Sequence, residues 1–155
     1  MKTGFIGAGN MASAIIEGVV SSACLMPGDL AVYDVEQAKA DALRAKFGLA
    51  GCADAKALVQ SCGCVVLAVK PNVLSGVLEE IRDDVREKQP LLLTIAAGKP
   101  LSFYRDCLGF EPRLVRVMPN INAVVGEAVT AYCGNEEATP DDLQSQMVVS
   151  LVLRL

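Results

Sequence analysis

Short apolar runs alternate along the chain with stretches in which apolar residues recur at the spacing of a helix. Each run is bounded by glycine, proline or polar residues, and the runs predict β-strands at residues 5–6, 30–33, 49–52, 64–69, 91–95 and 114–117. The helical stretches lie at 10–20, 36–47, 54–59, 72–85 and 100–108. The alternation predicts an α/β fold with a doubly wound, mostly parallel sheet and helices on both faces.

Two of the predicted helices have clear local signals. Asp54 stands where an N-cap is expected, directly before the third helical stretch. In the second helical stretch, alanines and one leucine recur at helical spacing among the charges. These residues are Ala38, Ala42, Leu43 and Ala45. They predict the buried face of that helix.

The pattern changes after Asn120. Residues 124–125 and 128–132 are apolar enough for further strands. The sequence Thr139-Pro140-Asp141-Asp142 predicts the start of a helix, with a cap, a proline at the first position and acids in the first turn. Residues 147–155 are apolar on nearly all sides, so we expect them to pack against a second domain or subunit.

The turn after the first apolar run has the spacing of a phosphate-binding loop. Gly7, Gly9 and Ala12 fit G-x-G-x-x-G/A. In this pattern the first glycine allows a sharp turn, the second lets a pyrophosphate approach the backbone, and the small third residue lets the helix lie close to the strand. Glycine turns also occur for purely structural reasons, but the strand before this turn and the helix after it favour a Rossmann-type dinucleotide site at the helix N-terminus.

Asp34 closes the second predicted strand and adds to the dinucleotide interpretation. A carboxylate at this position accepts hydrogen bonds from both ribose hydroxyls but repels the 2′-phosphate of NADP. Glu36 adds to that repulsion, and the nearest cation, Lys39, is one helical turn away. We therefore expect NADH to be favoured over NADPH.

Composition and charge narrow the class of protein. The chain has 155 residues, of which 52% are hydrophobic and none is Trp, as suits buried parallel strands and Ala-rich helices. A net charge of −4 argues against nucleic acid or an anionic membrane as the main partner. No signal peptide and no membrane span are visible, so we expect a cytoplasmic protein.

Six cysteines raise the question of disulfides or a metal. They are Cys24, Cys52, Cys62, Cys64, Cys107 and Cys133. They form no C-x-x-C pair, and the chain has no histidine, which excludes the mixed Cys/His zinc sets. We expect free, mostly buried thiols in a reducing compartment and no metal site.

Four motifs follow one another in the chain. They are G-F-I-G-A-G-N-M-A at 4–12, L-A-V-K-P at 67–71, I-A-A-G at 95–98, and R-V-M-P-N at 116–120 followed by V-G-E at 125–127. In this order they resemble pyrroline-5-carboxylate reductase, which carries out the last step of proline biosynthesis. The resemblance runs from residue 1 to about 140 and is far more specific than the glycine fingerprint alone.

The resemblance implies which residues hold a nicotinamide dinucleotide. Around the phosphates would lie Ile6, Gly7, Ala8, Gly9, Asn10 and Met11. On the nicotinamide side would lie Ala68, Val69, Lys70, Pro71, Ile95, Ala96, Ala97 and Gly98, with Asn120 nearby. Ligands of open α/β sheets bind at these carboxyl ends of the strands. Purely structural roles stay open for Lys70, Gly98, Pro119 and Asn120, and Glu127 is interpreted as a surface charge rather than an acid catalyst.

The resemblance also implies the reaction. A hydride would pass from the reduced nicotinamide to the C=N carbon of the cyclic imino acid 1-pyrroline-5-carboxylate, giving L-proline. We identify no catalytic residue in this chain. In the family, an all-helical C-terminal domain forms the dimer and contacts the substrate, and we expect it beyond Leu155.

Two domain-level expectations follow. Residues 1–135 are predicted to form the dinucleotide-binding domain, and 136–155 to begin a connecting helix towards the helical domain. The 155-residue chain is then expected to bind cofactor without completing an active site, whereas the full-length form would be a homo-oligomer.

One departure and two alternatives qualify this interpretation. Ile121 and Asn122 follow M-P-N, where the family usually has Thr-Pro. The first alternative is a truncated or degenerate paralogue that binds a dinucleotide without catalysis. The second is a reductase of the same fold that acts on a hydroxy acid, against which only the four motifs argue.

Overall fold

The computed structural model describes residues 1–118 and 131–144. Within these residues, seven strands form one sheet in the order β3-β2-β1-β4-β5-β6-β7. The strands are β1 Thr3–Ile6, β2 Leu30–Tyr33, β3 Ala50–Gly51, β4 Cys64–Leu67, β5 Leu91–Thr94, β6 Leu114–Met118 and β7 Ala131–Gly134. Neighbouring strands are parallel from β3 to β6, and β7 alone pairs antiparallel, against β6.

Helices cover both faces of this sheet. Among the described residues they are α1 Asn10–Ser21, α2 Gln37–Phe47, α3 Ala55–Ser61, α4 Leu74–Lys88, α5 Leu101–Leu108 and α6 Pro140–Gln144. A short 3-10 turn, Pro27–Asp29, leads into β2. Buried residues of α1 and α2 share one core with α6, and those of α3, α4 and α5 form the other. The predicted doubly wound α/β fold is confirmed.

Strand β4 shows why the sequence of a central strand is continuously apolar. Cys64 and Val66 belong to one core, Val65 and Leu67 to the other, and all four are fully buried. Such a strand has no polar face. The predicted strand at 64–69 is nevertheless too long, because Ala68 and Val69 lie in the following loop while their side chains still pack against the two cores.

The predicted N-cap of α3 is confirmed, whereas the predicted face of α2 is partly wrong. Asp54 Oδ1 accepts a hydrogen bond from the Ala57 N–H at 2.7 Å. In α2 the buried residues are Ala40 and Leu43, and the predicted alanines 38, 42 and 45 are exposed. This helix packs over β2 and the edge strand β3, where only a narrow stripe of it can be covered, and its alanines fit exposed positions as well as buried ones.

The segment that contains β7 and α6 is fastened to the start of β6. Asn135 Oδ1 accepts from the Leu114 N–H at 3.2 Å, and its Nδ2 donates to the Pro112 carbonyl at 2.6 Å. Thr139 and Asp142 form a reciprocal cap, in which each side-chain oxygen accepts from the other residue's N–H. The predicted helix start is confirmed. The domain boundary at residue 135 stays a prediction, and described contacts cross it.

An ion pair holds α6 in place and leads to a pH prediction. Arg113 donates to both carboxylate oxygens of Asp142, at 2.5 and 3.3 Å, and the Asp142 side chain is only 9% exposed. Burial raises the pKa of Asp142, but the hydrogen bonds from Arg113 and Thr139 outweigh it, so the pKa lies below its usual value. The ionised form therefore stabilises the fold above the pKa of the unfolded chain, and this contribution is lost as pH falls through the folded pKa.

We expect Asp142→Asn to lower the free energy of unfolding by about 2 kcal/mol at neutral pH, because the arginine is left without its partner. The difference from the unmutated chain should shrink below about pH 4, where the carboxyl is protonated in the unfolded chain. Urea unfolding across a pH series measures both. Asp141→Asn is the matched control, because Asp141 is exposed in the same helical turn. Parallel pH profiles for Asp142→Asn and the unmutated chain would contradict the prediction.

In residues 1–118 and 131–144, no helix combines the length and the hydropathy needed to cross a bilayer.

Cys62 and Cys64 are buried, Cys52 and Cys107 partly buried and Cys133 exposed, and all five are free thiols. Burial raises the pKa of the Cys62 and Cys64 thiols, which keeps them uncharged at neutral pH.

Candidate functional site: the carboxyl edge of the sheet

The loops that follow β1, β4 and β5 meet at the carboxyl edge of the sheet. The Ala68 N–H donates to the Ile6 carbonyl at 2.9 Å, and the Ile95 N–H donates to the Leu67 carbonyl at 3.3 Å. Each loop is thus joined by a backbone hydrogen bond to the end of the neighbouring strand. The described residues predicted to hold a cofactor therefore lie along one edge.

Gly7 is required by the backbone of the first loop. Its φ is +106°, and a Cβ added there would stand 2.5 Å from the Ala68 carbonyl oxygen. Its N–H donates to the Tyr33 carbonyl at 2.8 Å. Only glycine satisfies both the left-handed conformation and the close approach of the next loop. The sharp-turn role predicted for this residue agrees with its geometry.

Gly9 has a different reason to lack a side chain. Its φ of −74° suits any residue, and among the described residues, its two chain neighbours aside, no atom lies within 4 Å of the position of a Cβ. It is the N-cap of α1, and Ser13 is the first residue whose N–H bonds back to it, at 2.9 Å. The amides before Ser13 have no partner within the helix. Open space therefore lies beside a helix N-terminus, where an anion is favoured.

Ala12, the last residue of the motif, lets α1 pack closely against the sheet. Ala12 is fully buried in the core that α1 shares with β1, as predicted for the third small residue. Met11 is partly buried against the same core, and Asn10 is exposed. At Gly7 and Ala12, contacts within the protein require a small residue. At Gly9 no such contact among the described residues requires one, and only the open space beside the residue accounts for a glycine.

Asp34 takes part in a contact that the sequence analysis did not predict. Its Oδ2 accepts from the Ala8 N–H at 2.7 Å, and its Oδ1 accepts from the Glu36 N–H at 2.8 Å. The carboxylate thus joins the end of β2 to the glycine turn. Each oxygen keeps further acceptor capacity, so a ribose hydroxyl can still bond to it.

A cavity of about 150 Å³ opens beside Asp34, at the carboxyl ends of β2 and β3. Its polar lining consists of Asp34, Gln37, Asp41, Arg44 and Cys52 with Tyr33. Arg44 lies across Gly51, since a Cβ added there would meet its Cζ at 2.4 Å. Its Nη1 pairs with Asp41 at 2.9 Å, whereas Lys39 pairs with Glu36 at 2.7 Å.

Arg44 is the cation that the sequence analysis missed in this cavity. Lys39 is closer than Arg44 to Asp34 in the sequence. The pattern of α2 alone does not indicate that Arg44, ten positions after Asp34, lies near it in space. The only available signal was the spacing of seven from Gln37 to Arg44, which places both on one side of α2.

The loops after β4 and β5 present small or exposed residues to the same edge. Lys70, Pro71, Ala97 and Gly98 are exposed, Ala68, Val69 and Ile95 are partly buried, and Ala96 is buried. The Lys70 carbonyl accepts from the Val73 N–H at 3.1 Å, which turns the chain into α4. Gly98 has a φ of +75°, so its place in the second turn favours glycine for conformational reasons alone.

Several predicted positions lie outside the described residues. These are Pro119, Asn120, Ile121, Asn122 and Glu127. The predicted strand at 124–125, residues 128–130 of the predicted strand at 128–132, and the apolar segment 147–155 lie outside them as well, whereas residues 131–132 begin β7.

The carboxyl edge as a whole has the features of one class of protein. A glycine turn at a helix N-terminus, an acid after the second strand and small-residue loops after two central strands sit on a doubly wound parallel sheet. These features define a dinucleotide-binding α/β domain. A family model described as "NADP oxidoreductase coenzyme F420-dependent" matches residues 2–98, and the chain belongs to this family.

Individual relatives indicate a narrower group of enzymes than the family model does. The chain is 38% identical to a pyrroline-5-carboxylate reductase of Methanosarcina acetivorans over 96% of its own length and 54% of the relative's. The structure of a pyrroline-5-carboxylate reductase from Coxiella burnetii superposes with a TM-score of 0.88 at 29% identity, over 99% of this chain and 57% of that one. The Plasmodium falciparum pyrroline carboxylate reductase, solved with NADP bound, gives a TM-score of 0.82 at 27% identity over 99% and 55%.

The resemblance indicated by the four motifs is thereby confirmed over nearly the whole chain. The chain spans about half the length of these relatives.

Proposed function

We propose that this chain is the cofactor-binding part of a pyrroline-5-carboxylate reductase, an oxidoreductase that reduces the C=N bond of 1-pyrroline-5-carboxylate to L-proline. The observation that carries the proposal is the match to such reductases along almost the entire chain. The substrate would be a small cyclic imino acid, and the reaction would complete proline biosynthesis.

The cofactor would lie along the carboxyl edge. Its pyrophosphate would sit in the open space beside Gly9, facing the first-turn amides of α1, and its adenosine ribose near Asp34. The nicotinamide would face the loops at residues 68–71 and 95–98 and, by the family resemblance, Asn120. The cofactor supplies the hydride. The chain would contribute position, through small residues that let the cofactor approach the backbone closely.

The cofactor preference is proposed from Asp34. Its carboxylate is fixed by the Ala8 and Glu36 amides, so it cannot turn away from a 2′-phosphate without breaking both hydrogen bonds. The two nearby cations are paired already, Lys39 with Glu36 and Arg44 with Asp41. We therefore propose that NADH binds more tightly than NADPH, although NADP is the cofactor in the Plasmodium falciparum relative.

Replacing Asp34 with asparagine tests the preference. The amide keeps the shape and one acceptor oxygen but removes the charge, so the ratio of the NADPH to the NADH dissociation constant should fall about tenfold, which corresponds to about 1.4 kcal/mol. Titration of the purified chain, followed by nicotinamide fluorescence, measures both constants. Asp29→Asn is the control, because it removes an exposed carboxylate at the other end of β2, away from the cavity and its cations. Tighter binding of NADPH with Asp34 intact would contradict the proposal.

The reaction itself needs an assay for product. Cofactor binding together with formation of L-proline from 1-pyrroline-5-carboxylate would support the reductase. The assay is best run on a protein of the relatives' length that begins with this chain. Saturable NADH binding without proline formation in that protein would instead favour the non-catalytic dinucleotide-binding paralogue. Turnover of a hydroxy acid in place of the imino acid would favour the second alternative, a reductase of the same fold with another substrate.

A further inference from the structure

The turn after β5 is held by side chains that lie beneath it. The Ala96 N–H donates to Thr94 Oγ1 at 3.3 Å, and Arg116 Nη1 donates to the Lys99 carbonyl at 3.1 Å. These two contacts fasten the beginning and the end of the turn. Between these contacts lie Ala97, whose side chain is a single methyl group, and Gly98, which has no side chain. Neither residue can fix the position of the turn through its own side chain.

Thr94 is in turn held by Tyr104. The two hydroxyl oxygens are 2.5 Å apart, and both residues are fully buried. Phe103 packs edge-on against the tyrosine ring, with 5.5 Å between the ring centroids. Burying two hydroxyls stabilises nothing unless they bond to each other or to the backbone, and a Val and a Phe would fill this space without that requirement. Burial also raises the pKa of Tyr104, which keeps the hydroxyl neutral.

Arg116 completes the support from the next strand. It is the register partner of Thr94 in the β5–β6 ladder. Its Nη2 lies 3.4 Å from Met118 Sδ, and its Nε is buried without a hydrogen-bond partner in the described part of the chain. The guanidinium of Arg116 is thus anchored on β6, and it donates a hydrogen bond to the carbonyl of Lys99, which follows the turn.

From this arrangement we infer that Thr94, Tyr104 and Arg116 are positioning residues, which set where the Ala96–Ala97–Gly98 turn stands against the nicotinamide. The inference rests on the proposed function, because it needs a nicotinamide at this edge. Tyr104 acts through Thr94, and Thr94 and Arg116 act on the turn backbone. A turn released from either contact would leave the nicotinamide half of the cofactor less well held and the adenosine half unaffected.

The test compares two ligands that differ at the nicotinamide. NADH reaches the turn, whereas ADP-ribose lacks the nicotinamide and would occupy only the region near Gly9 and Asp34. We expect Thr94→Val to weaken NADH binding roughly fivefold, as for the loss of one hydrogen bond, with ADP-ribose affinity unchanged. Thr94→Ser keeps the hydroxyl and should restore NADH binding, and Tyr104→Phe should weaken it to a similar extent.

Thr3→Val is the matched control. Thr3 is also a fully buried strand threonine, but it begins β1 at the opposite edge of the sheet. It should leave the ratio of the NADH to the ADP-ribose affinity unchanged. Equal weakening of both ligands by Thr94→Val and Tyr104→Phe, or no weakening of either, would overturn the inference while leaving the proposed function in place. An unmutated chain that binds neither ligand would overturn both.

Discussion

Replacing Gly7 with alanine is expected to lower the free energy of unfolding by about 3 kcal/mol or more. A φ of +106° is unfavourable for any residue with a Cβ, at roughly 1–3 kcal/mol. The added methyl would also stand 2.5 Å from the Ala68 carbonyl oxygen and 2.7 Å from its carbon. These backbone atoms cannot yield easily, because the Ala68 N–H is bonded to Ile6. Urea unfolding followed by circular dichroism measures the change.

Gly48→Ala separates the two causes. Gly48 also has a positive φ, +73°, but the nearest atom to its added Cβ is 3.9 Å away. Gly48→Ala should lower the free energy of unfolding by only about 1 kcal/mol, which is the cost of the positive φ without a steric clash. If Gly7→Ala destabilises the chain no more than Gly48→Ala does, the close approach of the two loops is not a constraint on this turn.

Replacing Gly9 with valine is expected to have the opposite profile, with a small change in stability and a large loss of cofactor binding. The backbone is in an extended conformation, and no atom in the described part of the chain, apart from the adjacent residues, lies within 4 Å of the new Cβ. Stability should change by no more than about 1 kcal/mol, the cost of a less favourable N-cap. The isopropyl group would occupy the space proposed for the pyrophosphate, so the affinity for both NADH and ADP-ribose should fall about 100-fold, or about 2.7 kcal/mol.

Gly28→Val is the control for this substitution. Gly28 likewise has an open Cβ position and an ordinary φ, but it lies before β2, at the opposite edge of the sheet. It should bind both ligands as the unmutated chain does. Full affinity for NADH in Gly9→Val would mean that the phosphates do not pass this residue, and the proposed placement of the cofactor would have to be abandoned.

The strands and helices predicted in the described part of the chain, and the glycine turn, follow from signals that lie close together in the sequence. The apolar run at β4 predicts a central strand because both of its faces are buried, and Asp54 predicts a helix start because its side chain bonds three residues ahead. Gly7, Gly9 and Ala12 occupy consecutive parts of one strand, turn and helix. In each case the residues that determine the structure are neighbours in the chain.

The site details that sequence could not provide depend on contacts between distant residues. Asp34 was expected to face a ribose, yet it also fastens Ala8, twenty-six residues away. Arg44 enters the cavity because α2 packs across Gly51, and Thr94 meets Tyr104 because α5 folds back beneath β5. The exposed alanines of α2 show the same limit, since an amphipathic pattern does not say how much of a helix the edge of a sheet covers.

The central place of β1 in the sheet has a consequence for how the chain folds during synthesis. β1 precedes both of its neighbours in the sequence, and its second partner, β4, lies about sixty residues later. Until that strand has been made, one edge of an apolar strand stays open to pairing with other chains. The domain therefore cannot fold progressively from its first residues, and a ribosome-bound chain that stops before β4 should be a target for chaperones.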